Sequence, residues 1–468
     1  MDSKFFTNKF QFSIDLAKAI NGEIINADSM QVYKGLDNIT NKHPMNEREG
    51  VTHHVINHVS WDEEYFIHRF ATEAQQAIDD IHARNKIPII VGGTHYYLLK
   101  LLFNNKTIGE DEQETKKLTD EQLKVLNGPV ETIFSILKQN DPTIAEKFHP
   151  QDYRKLRRAL EIYYLRGDKV SEIYRKQKDL EFEDSSLKYN LILFWIYSDY
   201  EVLKSRLDTR VDNMMINGGL YEIKQMFDQY QTQNPDLTKG VWQVIGFKEF
   251  IPWLQSITFE DLKDVKFTPP NDDKLFKQGL ERMKIRTRQY AKYQIKWIQK
   301  NLLIELQKES RFNYKYGGKL YLLDATDLSQ WQQNVNKIGV SICNQFLNNE
   351  TITYPQVPDH LKSVFPDEVS LESRTSNKKP GSQVNWKHYQ CDFCLDKLGK
   401  PLIAVGEESW KIHTASRRHK KAIGSIERKR KHQEMIDKKI QQSKDRKLDK
   451  EDEIEEISGQ LQNQPEEK

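Results

Sequence analysis

The chain has 468 residues, room for two or three domains, with 37% hydrophobic and 30% charged residues, the balance of a protein with a core and long polar segments. A net charge of +2 excludes a molecule that binds polyanions over its whole surface, so a nucleic-acid site must come from local clustering. Three cysteines are too few for a disulfide framework and point to a reducing compartment, no run of about 18 apolar residues is present to span a bilayer, and the N-terminus lacks the apolar segment of a secretory signal.

Phe12 to Ile20 has helical apolar spacing and stops at Asn21-Gly22. It feeds Ile24-Ile25-Asn26-Ala27-Asp28-Ser29-Met30-Gln31-Val32-Tyr33, an apolar run that ends in polar groups and reads as a buried strand reaching the edge of its sheet. In open α/β sheets ligands bind beyond the carboxyl ends of the strands, which puts Asp28 where a general base is useful; a turn or helix cap is the plainer reading. Asp37 to Glu49 is loop-like. His53, His54 and His58 follow without a fourth ligand at a recognisable spacing, so they read as structural rather than metal-binding.

Phe66 to Arg84 is helical, and Ile87 to Val91 is a β-rich run ending at Gly92-Gly93-Thr94. The two glycines let backbone approach a ligand, Thr94 adds a hydroxyl, and the helix that starts at Tyr96 favours an anion at its N-terminus. Residues 105–150 are polar and helix-prone, the pattern of an insertion. Asp152 to Arg166 is a helix ending at Gly167, with Arg154, Arg157 and Arg158 on one face: a solvated face or an RNA contact.

Asn190 to Tyr197 is a buried strand. Leu203 to Met215 is a helix bearing Arg206, Asp208, Arg210 and Asp212, broken at Asn217-Gly218-Gly219, with a second helix from Leu220 and another element starting near Gly240. In the helix Arg282 to Gln299, Lys284, Arg288, Lys292 and Lys296 fall at steps of four, and a stripe of one sign predicts phosphate contact. Leu320 to Asp324 reads as a last strand, and residues 350–385 as a linker.

Cys391, Cys394, His413 and His419 are spaced C-x2-C-x18-H-x5-H. Two thiolates and two imidazoles suit tetrahedral zinc, with a hairpin and a helix meeting at the ion. Arg417, Arg418, Lys420 and Lys421 surround the second histidine, and Arg428 to Lys431 extend the basic face as a nuclear address, an RNA arm or a solvated helix. The tail turns acidic after Lys450 and is expected to lack fixed structure.

In order along the chain, Asn26-Ala27-Asp28-Ser29-Met30-Gln31-Val32-Tyr33, Val91-Gly92-Gly93-Thr94-His95-Tyr96-Tyr97, Asp152-Tyr153-Arg154 through Glu161, Arg210-Val211-Asp212-Asn213-Met214, Gln243 through Glu249 and Arg286-Thr287-Arg288-Gln289-Tyr290-Ala291-Lys292 resemble the motifs of the eukaryotic tRNA dimethylallyltransferases. The resemblance covers about residues 11–345, and the Cys/His unit resembles the finger appended in eukaryotic members. It implies an α/β fold: a P-loop-like parallel-sheet core at 1–105 and 151–349, a helical insertion at 106–150 that grips the anticodon arm, the linker, a zinc finger at 386–422 and a charged tail at 423–468.

The activity so implied is transfer of a dimethylallyl group from dimethylallyl diphosphate to N6 of the adenine 3′ of the anticodon. Asp28 matches the base, with Arg210 and Thr94 on the diphosphate together with Mg2+. Ser29, Met30 and Gln31 match the residues around the extruded base. Arg154, Arg157, Arg158 and the Lys284, Arg288, Lys292, Lys296 stripe would hold tRNA. Tyr293 stands where a basic residue is usual, which predicts one weaker phosphate contact.

The departure is at the start. The glycine-rich G-x-x-x-x-G-K-[ST] loop and its strand are missing; alignment puts Asn8-Lys9-Phe10 at Gly-Lys-Ser/Thr, leaving Lys9, Gly92 and Gly93 as diphosphate candidates. The expectation is a chain incomplete at its N-terminus, the alternative a tRNA- or RNA-binding protein impaired in catalysis; a P-loop kinase-like enzyme is disfavoured by the same lack. Monomeric state and a cytoplasmic and nuclear location are expected, with a mitochondrial one if an N-terminal segment is missing.

Overall fold

A computed structural model describes residues 8–104, 117–183, 185–257, 273–310, 318–365, 386–397 and 399–461. It divides into two compact units, 1–110 with 177–381 and 111–176 with 382–468.

The first unit is built on parallel strands. β1 (Gly22–Asn26) lies between β2 (His53–His54) and β3 (Ile87–Val91), with Ile24 beside His53 and Ile89, and Asn26 beside Val91. β4 (Ile192–Tyr197) pairs in parallel with β5 (Lys319–Asp324). Parallel neighbours need crossovers, and helices supply them: α2 (Ile67–Ala83) runs between β2 and β3, α9 (Tyr200–Met214), α10 (Leu220–Gln233), α11 (Ile251–Leu254), α12 (Lys274–Trp297) and α13 (Leu303–Glu309) run between β4 and β5, and α14 (Ile338–Leu347) follows β5. This is the mixed α/β fold with parallel sheets that the sequence predicts.

α1 (Asn8–Ile20) presents two faces because its apolar residues fall in two registers. Phe10, Ile14 and Ala17 pack with Ile24 and Val91, while Phe12 and Leu16 pack with Leu323, Val335 and Cys343. One helix thereby bridges both sets of strands through two separate clusters. The backbone of Lys9 lies in this helix; its side chain lies outside the described residues.

The three histidines are structural, as read: His54 meets Glu23 at 2.7 Å, His58 meets Glu73 at 2.8 Å, and the His53 ring meets the Val51 carbonyl at 2.8 Å. Glu23 is buried on β1 and also takes Arg84 and Lys86. The Arg84 guanidinium, helped by Lys86 and His54, holds its carboxyl well below the usual carboxylate range against the opposing effect of burial. Residues 350–365 are fixed rather than linker-like. Leu361, Val364 and Phe365 pack on the core, Leu322 donates to the Gln356 carbonyl, and Gln299 donates to the Val364 carbonyl.

The second unit corrects the boundary drawn at residue 150. It contains α4 (Asp120–Leu126), α5 (Val130–Asn140), α6 (Pro142–Lys147), α7 (Tyr153–Arg166) and the start of α8 (Val170–Glu183). Leu156, Ala159 and Leu160 of α7 are buried with Ile133 and Leu137 of α5, and Tyr153 donates to the Leu126 carbonyl, so the helix that carries the three arginines belongs with the insertion. Gly167, at φ +76°, ends α7 as predicted. The antiparallel pair β6 (His388–Leu395) and β7 (Pro401–Val405), with α15 (Glu407–Ala415) and α16 (Arg417–Leu461), completes this unit. His388 meets the Phe148 carbonyl at 2.9 Å, tying β6 to the helices. The tail is helical through Leu461, a correction: i,i+4 pairs such as Arg430–Glu434 support it and no proline interrupts it before residue 462.

Candidate functional site

The carboxyl ends of β1 and β3 are stitched together at the predicted place. Thr94 donates its amide to the Ala27 carbonyl at 3.1 Å, and its hydroxyl accepts the Ser29 amide at 2.9 Å. Asn26 closes the turn, donating to the Asp28 and Val55 carbonyls while its Oδ1 accepts the Asp28 amide. Asp28 Oδ1 accepts the Met30 amide at 3.1 Å; among the described residues nothing holds Oδ2. One carboxylate oxygen therefore fixes the group and the other is left open.

Gly92 and Gly93 are needed for close approach. A Cβ on Gly92 would sit 2.2 Å from the Ala27 carbonyl, and one on Gly93 would sit 2.2 Å from Gln294 Nε2. The two differ in what can yield. Gly92→Ala drives into backbone and is expected to cost about 1–3 kcal/mol or more and to shift the Asp28 turn. Gly93→Ala pushes aside the end of a flexible side chain and forfeits a bond of about 1 kcal/mol. Urea denaturation midpoints check the order; equal losses would refute it.

α12 (Lys274–Trp297) closes one side. Gln294 donates to the Gly93 carbonyl at 3.0 Å and the Tyr290 hydroxyl donates to it at 3.4 Å. Burial of that hydroxyl, with the Asp28 charge nearby, pushes its pKa up to about 12. Tyr97, on α3 (His95–Leu102), is raised by burial, with Tyr33 and Asp28 adding to the shift. Tyr290 and Gln294 were missed in the sequence; their spacing of four, on the helix whose glycine-facing side they share, is the available signal.

Arg210 lies on α9 (Tyr200–Met214), half-buried, and burial lowers its basicity while the Asp28 carboxylate opposes that shift. Its Nε–H is buried, and among the described residues no acceptor meets it. Arg206, one turn earlier, is engaged by the Ala325 and Thr326 carbonyls. An arginine with a buried donor open beside a carboxylate-bearing turn fits an anionic ligand.

Other predicted residues are placed differently. Gln31 is buried, and its amide donates to the Thr40 and Asn41 carbonyls, so it braces the following loop. Ser29 and Met30 are half-buried beside Asp28. The cationic stripe is half of an interhelical ladder. Lys284 pairs with Asp212 at 2.7 Å, Arg288 grips Asp208 at 2.7 Å, and Lys292 lies 4.3 Å from the centroid of the Tyr200 ring. Steps of four on α12 meet steps of four on α9, whose carboxylates, with Glu281 of α12 on Arg288, remove the self-repulsion. Lys296 is exposed. In the second unit Arg154 is exposed, while Arg157 and Arg158 share Glu161.

The second unit also assembles Cys391, Cys394, His413 and His419, whose ligand atoms lie within 4.8 Å of one another. Both sulfurs lie near His419 Nδ1, at 3.5 and 3.6 Å. Bonds of about 2.3 Å to sulfur and 2.0–2.1 Å to nitrogen give tetrahedral edges of about 3.3–3.8 Å, so the spacing suits a four-coordinate ion. His413 Nε2 is buried with no hydrogen-bond partner among the described residues, a lone pair left for a metal. The strand register slips between Gln390 and Leu395, where the cysteines sit, and the extended Ser416 parts α15 from α16, bringing the two imidazoles to 4.7 Å between centroids.

Residues 31–301 match the model of the IPP transferase family. The chain belongs to that family. It is 46% identical over 419 residues to the tRNA dimethylallyltransferase of Saccharomyces cerevisiae, covering 88% of each chain. It is 38% identical to that of Schizosaccharomyces pombe, covering 89% of this chain and 92% of the other. A crystal structure of a eukaryotic dimethylallyltransferase acting on tRNA superposes with a TM-score of 0.74 at 43% identity, covering 92% of this chain and 97% of that one. In the IPP transferase framework the match contains Thr94, Arg210 and all of α12. Among the described residues no helix is long and apolar enough to cross a membrane.

Proposed function

We infer that this IPP transferase is a tRNA dimethylallyltransferase, moving a dimethylallyl group from its diphosphate to N6 of an adenine 3′ of the anticodon. The observation that carries the reading is the open, buried Nε–H of Arg210 beside the Asp28 turn, an anion site next to a base. The exocyclic amine attacks the allylic carbon, the C–O bond breaks, diphosphate leaves with the electron pair, and the N6 proton passes to Asp28. Arg210 stabilises the charge that develops on the leaving group. Thr94 keeps the Asp28 turn in place through Ser29, and Gly92 and Gly93 let this turn close on the Ala27 carbonyl and on Gln294. The Ser29 and Thr94 hydroxyls are hard-oxygen donors of the kind Mg2+ takes, and that ion would neutralise diphosphate charge. Arg154, Arg157, Arg158 and Lys296 are proposed to meet tRNA phosphates; Lys284 and Arg288 are spent on α9. Cys391, Cys394, His413 and His419 are proposed to hold a structural Zn2+, forming a zinc finger.

The competing second reading is an RNA-binding protein without transfer. Labelled dimethylallyl diphosphate, Mg2+ and an anticodon stem-loop with three adenines separate the two. Labelled RNA is the expected result; tight binding with no labelled product would overturn transfer and leave the second reading.

A further inference from the structure

Glu222 is a carboxylate set among apolar neighbours. It lies on α10 with Leu220, Ile223, Met226 and Phe227, which are buried like itself, and it is only 8% exposed. A charge so placed is costly unless hydrogen bonds hold it. Its partners among the described residues are N–H groups. Oε1 accepts the Asn38 backbone amide at 2.9 Å and the Asn38 side-chain amide at 2.8 Å, and Oε2 accepts the Ile39 amide at 2.9 Å.

Asn38 and Ile39 belong to the loop that follows the Asp28 turn. Leu36 and Ile39 anchor this loop in the core. The buried Lys42 ammonium closes it on itself, donating to the Tyr33 and Gly35 carbonyls, to Asp37 and to Asn57. Its Thr40 and Asn41 carbonyls take the Gln31 side chain, and the Gln31 backbone amide donates to the Asp28 carbonyl at 3.2 Å. On the other side, α10 continues α9 through a kink at Met215–Gly219, where Gly218 stands at φ +107°, and α9 carries Arg210. A continuous run of bonded groups therefore links Glu222 to the turn that bears Asp28, and one kinked pair of helices links it to Arg210.

We propose that Glu222 is a positioning residue for transfer, setting the separation of Asp28 and Arg210 by clamping the loop behind the base to the helix behind the cation. The carboxylate form matters: both of its oxygens accept, whereas a glutamine has one oxygen and would turn an N–H toward an N–H. The proton leaves N6 for Asp28 while charge grows beside Arg210, so an error in their separation falls on the transition state rather than on binding. The inference rests on the function proposed above and adds a residue that acts through the loop and the helix rather than on substrate.

The test is a double-mutant cycle in the full chain, with kcat and KM for transfer to an anticodon stem-loop. Glu222→Gln is expected to lower kcat about tenfold with both KM values within about twofold, and to speed amide exchange in residues 30–41. Added to Asp28→Asn, it should cost less than about twofold, because the base it positions is already gone. Asn38→Ala, which removes one donor and leaves the carboxylate, should give about a threefold loss and the same lack of additivity; it carries the cycle if Glu222→Gln does not fold. Melting curves establish which variants are folded. Equal losses with and without Asp28 would mean a general structural role and refute the proposal, as would a raised KM at unchanged kcat. If the parent chain transfers the group and Glu222→Gln does so equally well, the positioning role is refuted and the function stands. If the parent chain does not transfer, the function reading falls and this inference with it.

Discussion

Asp28→Asn is expected to lower dimethylallyl transfer at least about a hundredfold while leaving tRNA affinity within about twofold, the loss typical of removing a general base. The substitution is conservative where it needs to be. An asparagine Oδ1 still accepts the Met30 amide, and the stitching through Asn26, Thr94 and Ser29 does not involve the carboxylate charge. Two things are lost: the proton acceptor at Oδ2, and the charge that opposes the fall in Arg210 basicity. An amine conjugated to a purine ring is a weak nucleophile, so the acceptor is needed as the bond to the allylic carbon forms. Single-turnover transfer with saturating stem-loop measures the step directly. An unchanged rate would remove Asp28 from the chemistry; a fall in both rate and affinity would recast it as a residue that shapes the RNA site.

The sequence displays some of this arrangement and hides the rest for identifiable reasons. Asp28, Thr94 and the glycine pair are legible because strand-ending apolar runs are local patterns, and β1 and β3 deliver them to the same edge. β2 is hidden: two histidines beside Ile24 and Ile25 carry no periodicity that a reader can detect. The α12 stripe shows how period alone misleads. Lys284 and Arg288 repeat at four residues, the spacing of phosphate ligands, yet Asp208 and Asp212 repeat at four on α9, and only tertiary pairing reveals one ladder. The Arg-Asp alternation from Arg206 to Asp212 is the signal that could have exposed it. Gln31 has a part that the sequence hides: its Nε2 is held by the Thr40 and Asn41 carbonyls, while its buried Oε1 has no partner among the described residues. The boundary at residue 150 failed because α7 has an apolar stripe compatible with any core, and composition does not say which helices it meets.

Removing the metal proposed for the Cys391, Cys394, His413 and His419 cluster should unfold the β6–β7 hairpin and its junction with α15 and α16. Metal binding in small fingers is worth about 10–16 kcal/mol near neutral pH, more than so short a hairpin can replace by packing. Few apolar groups are buried there: Ala404 and the two cysteines themselves, with the Trp410 ring stacked on Tyr389 at 5.6 Å. Thiol counting gives a sharp readout, because the three cysteines differ in what protects them. Cys343 is buried in the first unit among Phe12, Leu16 and Val335, and burial pushes its thiol up to about 11, so it stays unreactive while that unit is folded. The native protein is therefore expected to contain one zinc per chain and to show no reactive thiol. A strong chelator should release the metal and expose two thiols, with loss of amide protection confined to the hairpin and its flanking helices. Cys391→Ser should reproduce the chelated state. Metal-free protein with the hairpin still protected would overturn the assignment, since burial alone would then be holding four polar ligands together without an ion. Release of a third thiol would mean instead that losing the metal unfolds the first unit as well.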